Sequence, residues 1–333
     1  MASLKDISEK CGVSIATVSK ALNNQSDISE KTRLRVIRVA KELGYAPNSF
    51  ARALKTKRTF GIGVLFVDAA HSGLTHDYFA NVLNSFKTTA EEYGYDITFL
   101  GSIQSGMTYL EHCRYRGFDG VAIACVDFDN PEVTELVKSD IPIVTIDHSF
   151  FGRASVISDN VNGMKELLTY VHSRGHRRIA YIHGADSAVT RNRLSSFYKT
   201  AEELGIEVPD SYVKEAAYRD TKAAGEATKE LLALKEKPTC ILYPDDFSCF
   251  GGINAIKEQG LRIPEDISVA GYDGILFSRL IQPELTTFLQ DTEAIGEQAA
   301  KKLIELIEKP RTTFAEQVVI GGRMFPGQTV RQL

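Results

Sequence analysis

Between Leu4 and Gly44 the apolar positions repeat at helical spacing. Leu4, Ile7 and Cys11 share one face, which leaves Lys5, Glu9 and Lys10 outward, and Ser3 with Asp6 three residues on reads as a capping-box start. Gly12 permits a turn. Val13 is apolar, and Ser14 is a good N-cap for a second helix over Ile15–Leu22. On that helix Val18, Ala21 and Leu22 point inward, leaving Ile15, Ala16, Thr17, Ser19 and Lys20 for the other faces. A third capped helix follows from Ser29 and ends at Gly44, with Ile28, Val36, Val39, Ala40 and Leu43 on its core side. Two short helices joined by a tight glycine-containing turn, then a third that completes the core, describe a helix-turn-helix. Its second helix would enter a DNA major groove N-terminus first. A small three-helix bundle without a DNA partner shares this outline. Pro47 stops the third helix and Asn48 can cap a short new one, although by composition this stretch also reads as a linker.

After Lys57-Arg58 the pattern changes to alternating strands and helices. Strand-like runs fall at residues 60–67, 95–100, 120–126, 141–146, 178–182, 240–243 and 267–270, with a last one at 317–320. Helical stretches lie between them, among them 77–93, 162–174, 193–204 and 223–234. Such alternation implies parallel sheets with helices on both faces, and the length suits two such lobes.

Composition refines the picture where charge is concerned. The 333 residues carry a net charge of −4, but residues 1–60 hold 12 Lys and Arg against 5 Asp and Glu, and the remainder 27 against 38. A small cationic module on a large anionic body would steer the small end toward a polyanion. A merely solvated basic face is the alternative. The five cysteines (Cys11, Cys113, Cys125, Cys240, Cys249) are scattered, with no C-x-x-C, and read as core residues in a reducing cytoplasm. The start MASLKDISEK has no apolar run or small-residue cleavage site, so it reads as unexported. No window approaches the ~18 apolar residues of a membrane span.

The segments Leu4-Lys-Asp-Ile, Gly12 through Asn23, Lys31-Thr-Arg, Leu43 through Asn48 and Ala51-Arg-Ala-Leu54 together resemble the lactose-repressor family of bacterial regulators. The resemblance continues through Gly61-Ile-Gly-Val, Asp77-Tyr-Phe, Gly117 through Val121, Gly175 through Ala180, Ile263 through Asp273 and Pro283 through Thr287. It implies a helix-turn-helix domain over 1–46, a hinge helix or linker over 47–58, and an effector-binding and dimerisation domain over 59–333. The last would be a periplasmic-binding-protein-like pair of doubly wound lobes, one of about 59–160 with 291–321, the other of about 161–290 with 322–333. Residue by residue, it places base reading on Ile15, Ala16 and Lys20. The first two can touch thymine methyls, while Lys20 can donate to guanine. Ser14, Thr17, Ser19 and Asn23 read equally as phosphate contacts or helix caps. Within the hinge, Asn48, Ala51, Leu54 and Lys55 are the candidate DNA contacts, with Leu54 as an apolar wedge in the minor groove.

Open α/β sheets bind ligands at the carboxyl ends of their strands. Asp147, Asp245 and Asp273 follow strands in this way, and each also falls where the resemblance implies an effector contact. Arg193 matches the family's effector-fixing arginine, although Ser196 stands where the family usually has glycine before the aromatic. Tyr78, Phe79 and Tyr218 occupy aromatic positions suited to an apolar ring face, and Gln290 is a further candidate. An arginine with several carboxylates around aromatics suits a polyhydroxylated ligand, a sugar or sugar derivative.

Two rival classes share part of this pattern. For an enzyme, the chain has no G-x-G-x-x-G, P-loop, H-E-x-x-H or G-x-S-x-G, and nothing calls for a cofactor. His172 and His176 have metal-like spacing, but Gly175 intervenes and no third ligand is evident. Of the adjacent pair Asp245 and Asp246, one reads as a helix cap and the other as a ligand contact. For a transport-type solute-binding protein, the basic module and unexported start speak against it. The expected partners are therefore near-palindromic operator DNA, a carbohydrate effector and a second copy of the chain, with no membrane. The chain ends soon after residues 317–320 without a leucine heptad, which points to a dimer rather than a coiled-coil tetramer.

Overall fold

The computed structural model describes residues 2–22, 27–45, 58–68, 73–101 and 106–333. The chain divides into two compact units, residues 1–59 and 60–333.

In the first unit, α1 (Leu4–Cys11), α2 (Ile15–Leu22) and α3 (Glu30–Glu42) bury Ile7, Val18 and Val36 at 0% exposure in a shared core. The capping box at Ser3 and Asp6 is formed in both directions. Gly12 closes α1 at φ 61, a left-handed conformation that a Cβ would strain, and its N–H returns to Glu9. That geometry brings α2 back across α1.

The second unit holds two lobes. Its chain order begins β1 (Gly61–Phe66), α4 (Asp77–Glu92), β2 (Asp96–Leu100), α5 (Tyr109–Arg116), β3 (Gly120–Ala124), α6 (Pro131–Lys138), β4 (Ile143–Ile146) and β5 (Ala154–Ser158). It continues α7 (Asn160–Ser173), β6 (Ile179–His183), α8 (Ala188–Glu203), β7 (Val213–Glu215), α9 (Thr221–Ala233), β8 (Cys240–Leu242) and α10 (Asp246–Glu258). The last elements are β9 (Ser268–Asp273), β10 (Thr286–Leu289), α11 (Thr292–Glu308), β11 (Gln317–Ile320) and β12 (Arg323–Phe325).

The first sheet has the order β11-β5-β4-β3-β1-β2 with every neighbour parallel; the second runs β12-β10-β9-β8-β6-β7, parallel except at β10/β12. Each sheet is covered on both faces, so β1 is buried along its middle instead of alternating. Ile62 and Val64 pack with Val82, Phe86 and Leu303 of α4 and α11, while Leu65 packs with Cys113 and Leu136 of α5 and α6. In the second lobe, Ile182 and Ile241 face α9 and α10, and Tyr181 and Leu242 face α7 and α8. The chain passes between the sheets after β5, after β10 and after β11.

The structure differs from the sequence expectations in three respects. First, β5, β7, β10 and β12 were not anticipated: two are only three residues long, and β5 (Ala-Ser-Val-Ile-Ser) mixes small and polar residues. Second, α7, α8 and α9 begin earlier than expected, because Asp159, Ser187 and Asp220 cap them through side-chain hydrogen bonds. Third, Cys125 is not a core cysteine. It is partly exposed at φ 53 just past β3 and lines the cleft described below, whereas the other four are buried.

Candidate functional site

On α2 the sequence leaves one face uncovered, and the structure keeps it so. Ile15 is 47% exposed, and Ala16 and Lys20 are exposed beside it. Ser14 is a cap: its Oγ accepts the Thr17 N–H at 3.1 Å and lies 2.9 Å from the Thr17 hydroxyl. Lys20 is held in an ion pair with Asp27, so a base contact would have to draw it away from that carboxylate. Ser19 is half-buried. Asn23, Asn48, Ala51, Leu54 and Lys55 lie outside the described residues.

Within the second unit, a cavity of about 820 Å³ opens between the two sheets. All eight candidates, Tyr78, Phe79, Asp147, Arg193, Tyr218, Asp245, Asp273 and Gln290, line it. They come from both lobes and from a crossover, as the carboxyl ends of parallel strands require.

Arg193 is fixed most firmly. Because Ser187 starts α8 early, Arg193 sits in its second turn, 3% exposed. Its Nε donates to Asn160 Oδ1 at 2.7 Å and its Nη1 to the Pro244 carbonyl at 2.9 Å. The guanidinium lies 3.6 Å from the centroid of the Tyr272 ring and 4.0 Å from Asp273. Ser196, in the usual glycine position, does not disturb the helix; its hydroxyl donates to the Val161 carbonyl and ties α8 to α7.

Asp147 takes φ 58 at the end of β4, accepting the Tyr78 hydroxyl at 2.6 Å and the Ser158 N–H at 3.1 Å. Burial raises its pKa against those two hydrogen bonds. Tyr78 is thus a buried donor rather than a stacking platform, and burial followed by the Asp147 charge keeps its phenol protonated. Asp273 ends β9 at φ 100 and accepts the Gln290 Nε2–H at 2.6 Å. Burial lifts its carboxyl to about 7, with Arg193 opposing and Asp245 and Asp147 adding repulsion. The Gln290 Oε1 is buried without a hydrogen-bond partner.

Asp245 is engaged more than the sequence suggests. It caps α10, accepting the Ser248 N–H and hydroxyl at 2.7 Å each and the Arg219 N–H at 3.0 Å. Asp246 does not line the cavity; it is buried, accepting the Ile275 N–H and the Thr287 hydroxyl, which turns it back toward β10. Tyr218 sits against Gly184, where a Cβ would meet its ring at 2.2 Å, so only glycine admits this approach.

Sequence reasoning missed several lining groups. Arg219 reaches from the second lobe to Asp77 of the first at 3.3 Å. Phe128 and His148 stack at 4.1 Å with an 8° interplanar angle, a flat surface at the cavity wall. His76 lies edge-on to Phe79, and burial, then the Arg219 charge, lower its pKa. In the sequence only the adjacent candidate Tyr218 marked the Arg219 region. Arg191 also lines the cavity, exposed and paired with Asp186 at 2.6 Å. Neither histidine of the 172/176 pair is poised for metal: both His176 ring nitrogens are satisfied, by Thr239 and the Arg331 carbonyl. Among the described residues no cluster of three or more His, Cys, Asp or Glu could hold a metal ion.

Comparison with known proteins gives matches over the whole chain. The profile described as bacterial regulatory proteins, lacI family, matches residues 3–48, and that of a periplasmic binding protein-like domain matches residues 168–330. The probable HTH-type transcriptional repressor ExuR of Bacillus subtilis (strain 168) is 30% identical, the match covering 100% of this chain and 99% of that one. Among solved structures, the lac repressor dimer bound to operator and the anti-inducer ONPF is 25% identical, at a TM-score of 0.81, with 99% of each chain covered. A LacI-family transcriptional regulator from Enterococcus faecium with bound ribose is also 25% identical, at a TM-score of 0.70, over 82% of this chain and 99% of that one.

Proposed function

The chain belongs to the lacI family of bacterial regulatory proteins, and from that premise we propose how its residues divide the work of a ligand-controlled repressor. It is a DNA-binding transcriptional regulator and not an enzyme. In our reading residues 1–46 form the DNA-binding domain, 47–58 the hinge, and 59–333 the effector and dimerisation domain, acting in the cytoplasm. Among the described residues no helix is long and apolar enough to cross a membrane.

The observation that carries the proposal is the convergence of Arg193, Asp147, Asp273 and Gln290 on one cavity between two lobes, in a chain with an exposed α2 face. Ile15, Ala16 and Lys20 read base edges, with Ser14, Thr17, Ser19 and Asn23 supporting. Asn48, Ala51, Leu54 and Lys55 act at the hinge, with Leu54 entering the minor groove. Two chains then place two reading helices on adjacent half-sites about one helical turn apart. A carbohydrate in the cleft draws on Tyr78, Phe79, Tyr218 and Asp245 as well, as the relative with bound ribose encourages. Ligand binding re-angles the lobes and so alters hinge stability. By linkage, DNA and ligand must change each other's affinity by the same factor.

The test is operator selection from random duplex DNA, followed by affinity measurements across a salt series with and without candidate carbohydrates. A near-palindromic site, a steep loss of affinity with salt and a ligand-dependent change in affinity are expected. An asymmetric single site, or equal affinity with every carbohydrate tried, removes the proposal.

A further inference from the structure

In the polar wall of the cleft carboxylate acceptors are many and most donors are spent, although Arg193 Nη2, no nearer than 4.0 Å to Asp273, is left to meet a ligand acceptor. Tyr78 spends its hydroxyl proton on Asp147. Thr190 donates to the Ala185 carbonyl at 2.7 Å, so the Tyr218 hydroxyl, 2.9 Å from Thr190 Oγ1, must spend its proton there. Gln290 turns its amino group to Asp273, which leaves its buried Oε1 as an acceptor with no partner among the described residues. The reverse orientation would need the Asp273 carboxyl protonated to donate to the amide oxygen.

Charge points the same way. Among the described residues eight aspartates line the cavity against three arginines, and each arginine already faces a carboxylate: Arg193 with Asp273, Arg191 with Asp186, Arg219 with Asp77. His76 and His148, which line it among the described residues, are held toward the neutral form by burial. Asp147, Asp245 and Asp273 meet Arg193 as the one buried cation among the described lining residues. A ligand that covers these carboxylates must compensate their charge or leave them protonated, and only the first keeps both oxygens as acceptors. An ammonium brings three donors and no acceptor; a carboxylate or phosphate brings acceptors alone.

We infer that the effector is a polyhydroxylated amine, an amino sugar or aminated polyol, and that the cleft rejects the corresponding acids and phosphates. The inference rests on the carbohydrate reading above and deepens it to a charge class. Hydroxyls and the ammonium donate to Asp147, Asp273 and the Gln290 Oε1, while the stacked Phe128 and His148 and the Phe79 ring offer apolar faces to C–H groups.

The experiment uses the full-length protein at neutral pH and matched sets sharing one ring stereochemistry: glucose, glucosamine, N-acetylglucosamine, glucuronate and glucose phosphate, with the galactose and mannose counterparts. Thermal stabilisation and calorimetric affinity are read for each. Within the responding set, the free amine should bind about tenfold or more tighter than the neutral parent and the N-acetylated form, the gain of a hydrogen bond to a charged group. The acid and the phosphate should give no shift. Asp147→Asn and Asp273→Asn, each checked for folding by circular dichroism, should shrink the amine's advantage. A uronate or sugar phosphate that protects as well as its neutral parent overturns the charge assignment, as does a neutral parent equal to the amine. Protection by the wrong member removes the charge class alone. Silence from every set overturns the carbohydrate reading with it, and an amine that binds but leaves operator affinity unchanged refutes the regulatory coupling while the charge class stands.

Discussion

The Arg219 guanidinium crosses the cleft to Asp77 at 3.3 Å and donates to the Thr75 carbonyl at 3.2 Å, tying the second lobe to the first. Arg219 is anchored on its own side as well. Its backbone, at φ 62, gives its N–H to Asp245, and its guanidinium lies 4.3 Å from the Phe247 ring centroid. Both partners of the ion pair are largely shielded, which limits screening by salt. Arg219→Ala should loosen closure and weaken ligand binding by about tenfold, a loss of ~1–2 kcal/mol. The reversed pair, Arg219→Asp with Asp77→Arg, should recover part of that loss. Calorimetry on the responding ligand checks it; an unchanged affinity in Arg219→Ala would show that the contact does not contribute to closure.

Arg193 carries both ligand recognition and fold. Its Nε and Nη1 satisfy Asn160 and Pro244, and its plane covers Tyr272. Removing one partner of a buried charged network leaves the others unpaired, at a cost of about 3–5 kcal/mol. Arg193→Ala should therefore lower the unfolding free energy, read from urea titration, by that order. Arg193→Lys should lose less stability yet still lose ligand, because an ammonium cannot keep two separated acceptors and a ring face in one geometry. A lysine variant with full ligand affinity would show that the planar fork is not what the ligand needs.

Asp273 makes a pH prediction whose sign follows from its environment. Its folded carboxyl is raised from 3.8 to about 7, first by burial. Between those values the folded chain holds a proton that the unfolded chain has given up, so this group's contribution falls as pH rises through that window and is lost above it. Asp273→Asn removes the dependence. Urea unfolding of both proteins between about pH 4 and pH 8 should show the variant gaining on the wild type by a few kcal/mol as pH rises. Parallel curves would mean that Asp273 is not the group responsible.

Much of this arrangement was legible in the residues, and the exceptions have physical causes. Strong periodicity and caps located α1, α2 and the central strands, since burial on one face or two leaves a readable pattern. The short edge strands β7 and β12 did not show, because three residues carry no period. The strand-end rule found Asp147, Asp245 and Asp273, yet it could not tell that Asp245 would be occupied as a cap while its neighbour Asp246 turned inward. Tyr78 and Phe79 are adjacent and both aromatic, and only the fold separates a hydrogen-bond donor from a ring face. Arg219 acquires its role from Asp77, 142 positions away, which no local pattern could announce.

On the DNA side, the two readings of Ser14 separate by measurement. Its Oγ caps α2 through the Thr17 N–H, so Ser14→Ala should cost about 1 kcal/mol of stability in the helix-turn-helix. Lys20→Ala should leave stability nearly unchanged, because its pair with Asp27 is exposed on both sides. The same substitution should cost about 1–3 kcal/mol on the selected operator and relax the preference at one base pair in each half-site. Ile15→Ala should weaken binding only where a thymine methyl meets the helix, so a uracil substitution in the operator should abolish the difference between Ile15 and alanine. Equal losses on operator and random DNA for Lys20→Ala would make that lysine a phosphate contact, leaving base reading at the start of α2 to Ile15 and Ala16.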